Sequence, residues 1–170
     1  MSDSRGQHDV WICDFADADD RAAFTRLMAE FAAEPVSASP QLDSAFFERV
    51  AGDLARRAGT LVLLAARAES EATEGVLIAF EGYSSFARAP LFNIHDVHVA
   101  GSARGRGLGS AMVETLADLG RAHGHAKLTL EVAASNTGAI RLYRRLGFTG
   151  LDGLPSTAAA GVTYFASKRL

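Results

Sequence analysis

The sequence predicts an α/β fold, a mixed and splayed central sheet with helices on both faces in the order β-α-α-β-β-β-α-β-α-β-β. Three observations predict it. Apolar residues recur at helical spacing in four separate stretches. Short β-branched or alternating runs lie between those stretches. Glycines stand where the periodic segments stop, at Gly59, Gly124 and Gly147. The chain has 170 residues, which fits a single domain over 1–170. A chain of this length buries roughly 70% of the surface its unfolded form exposes, so it needs no covalent staple.

Each element has its own local reason. Val10–Phe15 is an apolar run and reads as a first strand. Asp17 is placed to cap a helix over Asp17–Ala33, whose Phe24, Leu27, Met28 and Phe31 share one side. Pro35–Pro40 breaks the chain. Leu42–Arg57 is a second helix with Phe46, Phe47, Val50 and Leu54 on one side, ended by Gly59. Thr60–Ala66 and Val76–Tyr83 flank the charged turn Glu69–Glu74 and read as a hairpin. Pro90–Val99 contains the next strand. Leu108–His123 follows the i, i+3, i+4 pattern of an amphipathic helix. Lys127–Val132 alternates as a strand, and Asn136–Leu146 is a short helix. Phe148–Leu151 and Gly161–Ser167 read as short final strands. The strand–turn–helix–strand segment 94–132 forms a right-handed βαβ unit if its strands are parallel.

Composition narrows the function. Hydrophobic residues make up 48% and charged residues 22%, an ordinary globular mixture. The net charge of −3 argues against a general nucleic-acid binder and is compatible with a cationic small substrate. No apolar stretch approaches the roughly 20 residues of a membrane span. Met1–Asp9 lacks the basic and apolar regions of a secretion signal. The single cysteine, Cys13, excludes an intrachain disulfide and points to a reducing, cytoplasmic setting. It lies in an apolar run, so it reads as a buried hydrophobe rather than a nucleophile.

The chemistry concentrates between Val99 and Ser110. Arg104-Gly105-Arg106-Gly107-Leu108-Gly109-Ser110 joins a strand to a helix. Glycines let backbone N–H groups approach a ligand closely, and the helix start adds unpaired donors and the positive end of its dipole. An anion, above all a phosphate, suits such a turn. A Walker loop would need Gly-Lys-Ser/Thr at its end, and none is present. The dinucleotide fingerprint would need glycine at Ser110, and no acidic residue stands in the region 125–129 for a ribose. A nucleotide-binding regulator is therefore disfavoured. Arg-x-x-Gly-x-Gly from Arg104 to Gly109 is what fits.

A second motif, Asn136-x-x-Ala139-x-x-Leu142-Tyr143-x-x-Leu146-Gly147-Phe148, follows the next strand. With both motifs in this order, the chain resembles the GNAT superfamily of N-acetyltransferases over about Val76 to Gly150. Asn93–Val97 and the ending Gly161–Leu170 resemble the amine-acetylating, polyamine- and diamine-like members. The resemblance implies the GNAT fold, in which the strands at Ile94–Val99 and Leu128–Val132 splay apart. It implies acetyl-CoA as co-substrate and no metal. Val97, His98 and Val99 would pair with the pantetheine arm, and Arg104 to Ser110 would hold the pyrophosphate. Asn136 would bond the cofactor across the splay, and Tyr143 would point at the sulfur. Where relatives often carry proline the chain has Gly101, and no glutamate stands at 95 or 96 to act as a base.

Acyl transfer to an amine needs a neutral amine, a polarised carbonyl and a proton for the leaving thiolate. The implied reaction is acetyl transfer to a primary amine of a small molecule, by direct attack in a ternary complex. Tyr143 suits the general acid, and the strand-end N–H near Val97–Val99 suits the carbonyl. His95 is the first candidate base and Asp96 the second. Strand alternation puts His95 with Val97 and Val99, and Asp96 with His98 on the opposite face. A zinc site is disfavoured because His95 and His98 would then face opposite ways. His123 and His125 read as solvated. Arg141, Arg144 and Arg145 form either a solvated face or a contact for the ribose 3′-phosphate. Phe46, Phe47, Tyr83, Phe86 and Phe92 are candidates for the acceptor pocket, with Asp43, Glu48 and Glu81 to meet a cation. The last strand offers an edge for a homodimer. A non-catalytic CoA-binding sensor or interaction module on the same fold is the alternative, since fold alone does not decide function.

Overall fold

The computed structural model describes residues 7–34, 42–152 and 161–170. The break read at Pro35–Pro40 lies outside the described residues, as does the start of the chain before Gln7. Strand β1 runs His8–Ile12, a little earlier than the apolar run suggests. Helix α1 (Ala18–Ala32) starts where expected: the Asp17 carboxylate accepts the N–H groups of Asp19 and Asp20. Helix α2 (Ser44–Arg56) is capped by Asp43, which accepts the Phe46 N–H. Strands β2 (Thr60–Arg67) and β3 (Gly75–Ser84) form the expected hairpin. Strand β4 (Ala89–Val99) follows, then a 3₁₀ turn at Gly101–Ala103. Helix α3 (Leu108–Ala122), β5 (Lys127–Ala133), α4 (Thr137–Arg145) and β6 (Thr163–Arg169) complete the described elements.

The six strands lie in one sheet in chain order, β1 to β6. All neighbours are antiparallel except β4 and β5, which α3 joins as a crossover. The expected strand Phe148–Leu151 is reduced to a single bridge, Thr149 to Ser167. Gly150 turns the chain there at φ +92°, and a Cβ on it would stand 2.6 Å from the Phe165 carbonyl oxygen.

Helices cover both faces of the sheet. Leu63, Leu77, Ile94 and Leu130 pack with Met112 and Leu116 of α3 and Ile140 of α4. Val62, Leu64, Val76 and Ile78 pack with Phe24 and Leu27 of α1 and Phe47 of α2. β2 and β3 are thus buried on both sides, which explains why their sequences read as near-continuous apolar runs.

Two irregularities in β4 shape everything that follows. Ile78 pairs with Asp96 while Ala79 pairs with Ile94, so His95 is the extra residue of a β-bulge. In addition, β4 pairs with β5 only over Phe92–Ile94 against Leu128–Leu130. Beyond that point β4 continues to Val99 on β3 and β5 to Ala133 on β6 without pairing to each other, so the sheet opens into the expected splay.

Candidate active site

The start of α3 stands beside this opening. Its N-cap is Gly107 at φ +90°, and no side chain caps it. The first turn, with Leu108 buried and Gly109 and Ser110 half-buried, therefore presents backbone N–H groups that an anion could take. Gly105 also has positive φ, +75°, and a Cβ on it would meet nothing within 4 Å. That combination suits a turn open to a ligand. Arg106 is exposed.

Arg104 is placed differently from the expectation that it adds charge for a phosphate. Its Nε donates to the Val99 carbonyl at 2.9 Å, and its guanidinium pairs with Glu34 at the end of α1. It braces the loop against β4 and α1. The Ala100 N–H donates to the Glu74 carbonyl at 2.8 Å. Backbone groups alternate sides along a strand, so those of Val99 and Val97 point the other way, into the splay.

The bulge overturns the expected alternation at His95. Val97 and Val99 pack on the α3 side, but His95 and Asp96 both line a cavity on the α1–α2 side. The extra residue shifts the register, so two consecutive side chains reach one face. This cavity, of about 380 Å³, is walled by Met28, Phe31, Leu42, Phe47, Val50, Leu54, Ile78 and Phe80, with Ala32. His95 is exposed at its edge, its ring 5.3 Å from Phe80. Asp96 is half-buried, and burial pushes its carboxyl above the usual range, opposed by the charge of His95.

Tyr143, on α4, is 6% exposed and packs against Phe148. Burial first, and the charge of Asp96 second, raise its phenol to about 12. Asp96 and Tyr143 belong to opposite faces of the sheet, yet the charge of Asp96 bears on the phenol. The splay is where the two faces meet. Asn136 is the N-cap of α4: its Oδ1 accepts the Ala139 N–H at 3.1 Å, leaving its Nδ2 hydrogens for a ligand.

The side chain of His98 is not brought into this group. It is 4% exposed, stacks on Phe31 at 5.4 Å, and faces Glu34 (3.3 Å) and Glu30 (3.7 Å) of α1. Burial lowers its pKa despite the two carboxylates. His95 and His98 thus share a side after all, but among the described residues no three His, Cys, Asp or Glu side chains converge as metal ligands. Cys13 is buried, and that burial lifts its thiol to about 12, which makes it a poor nucleophile.

Several outlying expectations are corrected. His125 is buried, stacked on Phe92 at 4.0 Å, with Nε2 3.1 Å from Glu81 Oε2. Tyr83 and Phe86 are exposed, and Phe92 belongs to the other core. Phe47 does line the cavity, but Phe31 and Phe80, which also wall it, were missed. The signal for Phe31 was present in the helical spacing with Met28. The three carboxylates proposed to meet a cation are engaged elsewhere: Asp43 caps α2, Glu48 pairs with Arg21 and Thr25, and Glu81 faces His125. Arg144 donates to the Leu151 carbonyl, whereas Arg141 and Arg145 are simply exposed.

Comparison with known proteins places this arrangement. Residues 21–148 match the acetyltransferase (GNAT) family. Streptothricin acetyltransferase of Streptomyces lavendulae is 40% identical over 81 residues, 46% of this chain and 43% of that protein. An N-alpha-acetyltransferase of Mycobacterium tuberculosis is 34% identical over 76 residues, 44% of this chain and 46% of that protein. The chain thus spans less than half the length of these curated relatives. An acetyltransferase structure from Salmonella typhimurium with its cofactor acetyl-CoA superposes with a TM-score of 0.68 at 20% identity, covering 96% of this chain and 94% of that one.

Proposed function

The chain belongs to the acetyltransferase (GNAT) family, and from that premise we propose that it transfers an acetyl group from acetyl-CoA to a primary amine of a small molecule, by direct attack in a ternary complex. The observation that carries this reading is the parting of β4 from β5 after Ile94 and Leu130, beside the uncapped start of α3. The residues present fit the co-substrate: open space at Gly105, free helix-start donors, and strand-end backbone of Val97 and Val99 facing the gap. Acetyl-CoA supplies the activated thioester.

The amine nitrogen bonds to the acetyl carbon as the carbon–sulfur bond breaks. One proton leaves nitrogen and one arrives at sulfur, so the protein must accept one and give one. Asp96 accepts: it lines the amine-side cavity, and burial makes it a stronger base than a free carboxylate. His95, exposed at the cavity edge, relays the proton through water. Tyr143 gives. A phenol at about 12 stays protonated at neutral pH, so the donor is always loaded. Full transfer to a thiolate of pKa about 8.5 is uphill, so Tyr143 acts first as a hydrogen bond that tightens as charge grows on sulfur. The backbone N–H of Val97 is aimed to polarise the carbonyl.

Steady-state CoA release with a panel of amines tests the reading, with Tyr143→Phe as the variant. The expected result is turnover, and a fall in kcat on the order of 10²-fold in Tyr143→Phe at little-changed acetyl-CoA affinity. Tight acetyl-CoA binding without turnover on any amine supports instead the non-catalytic sensor. A homodimer would pair through the outer edge of β6 at Thr163 and Tyr164, since among the described residues Thr149 takes Ser167 and Gly150 lies against the Phe165 carbonyl. The buried single cysteine fits a reducing, cytoplasmic setting, and among the described residues no helix is long and apolar enough to cross a membrane.

A further inference from the structure

We infer that the acceptor is a primary amine carried on an apolar body, aryl or branched alkyl, with no second cationic group. The inference rests on the acetyltransferase reading and narrows its substrate class away from polyamines and diamines. Its basis is the chemistry of the cavity beside the splay. At about 380 Å³ it is near the lower end for small-molecule sites, which run from about 300 to 1,000 Å³. Among the described residues its wall is hydrocarbon and aromatic, chiefly Phe31, Phe47, Val50, Leu54 and Phe80. Its polar groups are confined to one place, His95 and Asp96 on the β4 bulge.

A polyamine needs at least two carboxylates, one for the reacting nitrogen and another for the distant ammonium. Among the described lining residues Asp96 is the single carboxylate. The acids on neighbouring positions have other partners: Glu30 has Arg26 and His98, Glu34 has Arg104 and His98, Asp53 has Arg56, Asp43 caps α2, Glu48 has Arg21 and Thr25, and Glu81 has His125. The guanidinium of Arg57 lies 4.9 Å from the centre of the Phe80 ring, which puts a positive charge beside that wall. An ammonium against this wall would lose hydration and find ring faces but no second carboxylate. An alkyl or aryl group there releases ordered surface from water instead. One end of the ligand is thus a nitrogen at Asp96, facing the gap and Tyr143, and the other end is apolar.

The test is kcat/KM with acetyl-CoA for 2-phenylethylamine, 3-methylbutylamine, spermidine, putrescine and a short peptide with a free N-terminus. The expected result is at least about tenfold preference for the two apolar amines over spermidine and putrescine, the scale at which apolar pockets discriminate. In Val50→Asp, which places a second carboxylate on the wall, that ratio is expected to fall by at least about tenfold. The acetyl-CoA affinity of the variant, measured by calorimetry, reports whether it is folded. If Val50→Asp does not fold, Leu54→Asp on the half-exposed part of the same wall gives the same reading. Preference for spermidine or putrescine overturns the inference and leaves the acetyltransferase reading standing. Preference for the peptide over every free amine overturns the small-molecule assignment. Turnover of none of them, with acetyl-CoA bound, overturns the acetyltransferase reading itself.

Discussion

A carboxyl group raised by burial holds its proton to higher pH than a free one, and that is the state of Asp96. As a base it works only when ionised. The rate is therefore lost as pH falls through that raised pKa, which lies above the ordinary carboxylate value of about 3.9. The kcat/KM profile of the wild type is expected to show that acidic limb. Asp96→Asn is expected to remove it and to lower kcat on the order of 10²-fold. An unchanged limb in Asp96→Asn would assign the proton to another group, His95 first. His98 acts on stability rather than rate. Burial lowers its pKa, so below about 6.5 the unfolded chain binds more protons than the folded one. Stability is then complete above that pH and lost as pH falls, even though Glu30 and Glu34 face the ring and resist the shift. The melting temperature is expected to drop from pH 7 to pH 5, less steeply in His98→Asn; equal slopes would contradict the assignment. None of these residue-level states was legible in the sequence beyond the residue types. Cys13 was, because a lone cysteine in an apolar run is a buried hydrophobe in most settings, whereas nothing local distinguishes a solvated His125 from one stacked on Phe92.

Elements were read more successfully than side-chain partners because their signals are local. Asp17 caps α1 through hydrogen bonds within its own turn, as read; Asp43 caps α2 in the same local way but was read as an acid for the acceptor. Asn136 was read as a cofactor contact only; its Oδ1 also caps α4, a role the sequence reading did not assign. Arg104 illustrates the opposite case. Its partners, Val99 and Glu34, belong to a strand and to a distant helix, and only the tertiary fold brings them within reach. The bulge at His95 was equally invisible, since it depends on how β3 and β4 come into register. It turned two expected opposite-facing side chains into neighbours at one cavity. The glycine-rich loop carries its own prediction. Gly107 has φ +90°, and an added Cβ would lie 3.1 Å from His8 Nε2. Gly107→Val is expected to weaken acetyl-CoA binding by at least about tenfold, because a β-branched residue resists that backbone and tilts the N–H groups away from the ligand. Gly105→Asn is the control: φ is +75° but space is open, and asparagine visits the left-handed region. Equal loss in both would argue that loop geometry is not what holds the phosphates.

At the scale of the whole molecule, a sheet whose strands follow chain order has one parallel junction, between β4 and β5. That junction opens after three paired residues on each strand, and the opening joins the uncapped start of α3 on one face to an apolar cavity on the other. In the proposed reaction Asp96 is the base for one reactant and Tyr143 the acid for the other, from the two sides of the gap. The splay was foreseen from the two motifs that flank it, while the cavity's apolar character was not, because its wall is assembled from α1, α2 and β3 together. The central claim is that one gap receives acetyl-CoA and the amine together. The most direct test is calorimetric titration of the purified chain with acetyl-CoA, ATP and NAD, repeated with acetyl-CoA in the presence of 2-phenylethylamine. The account expects selective binding of acetyl-CoA, with acetyl transfer to the amine once both are present. No acetyl-CoA binding at millimolar ligand, or tighter binding of ATP or NAD, would contradict it.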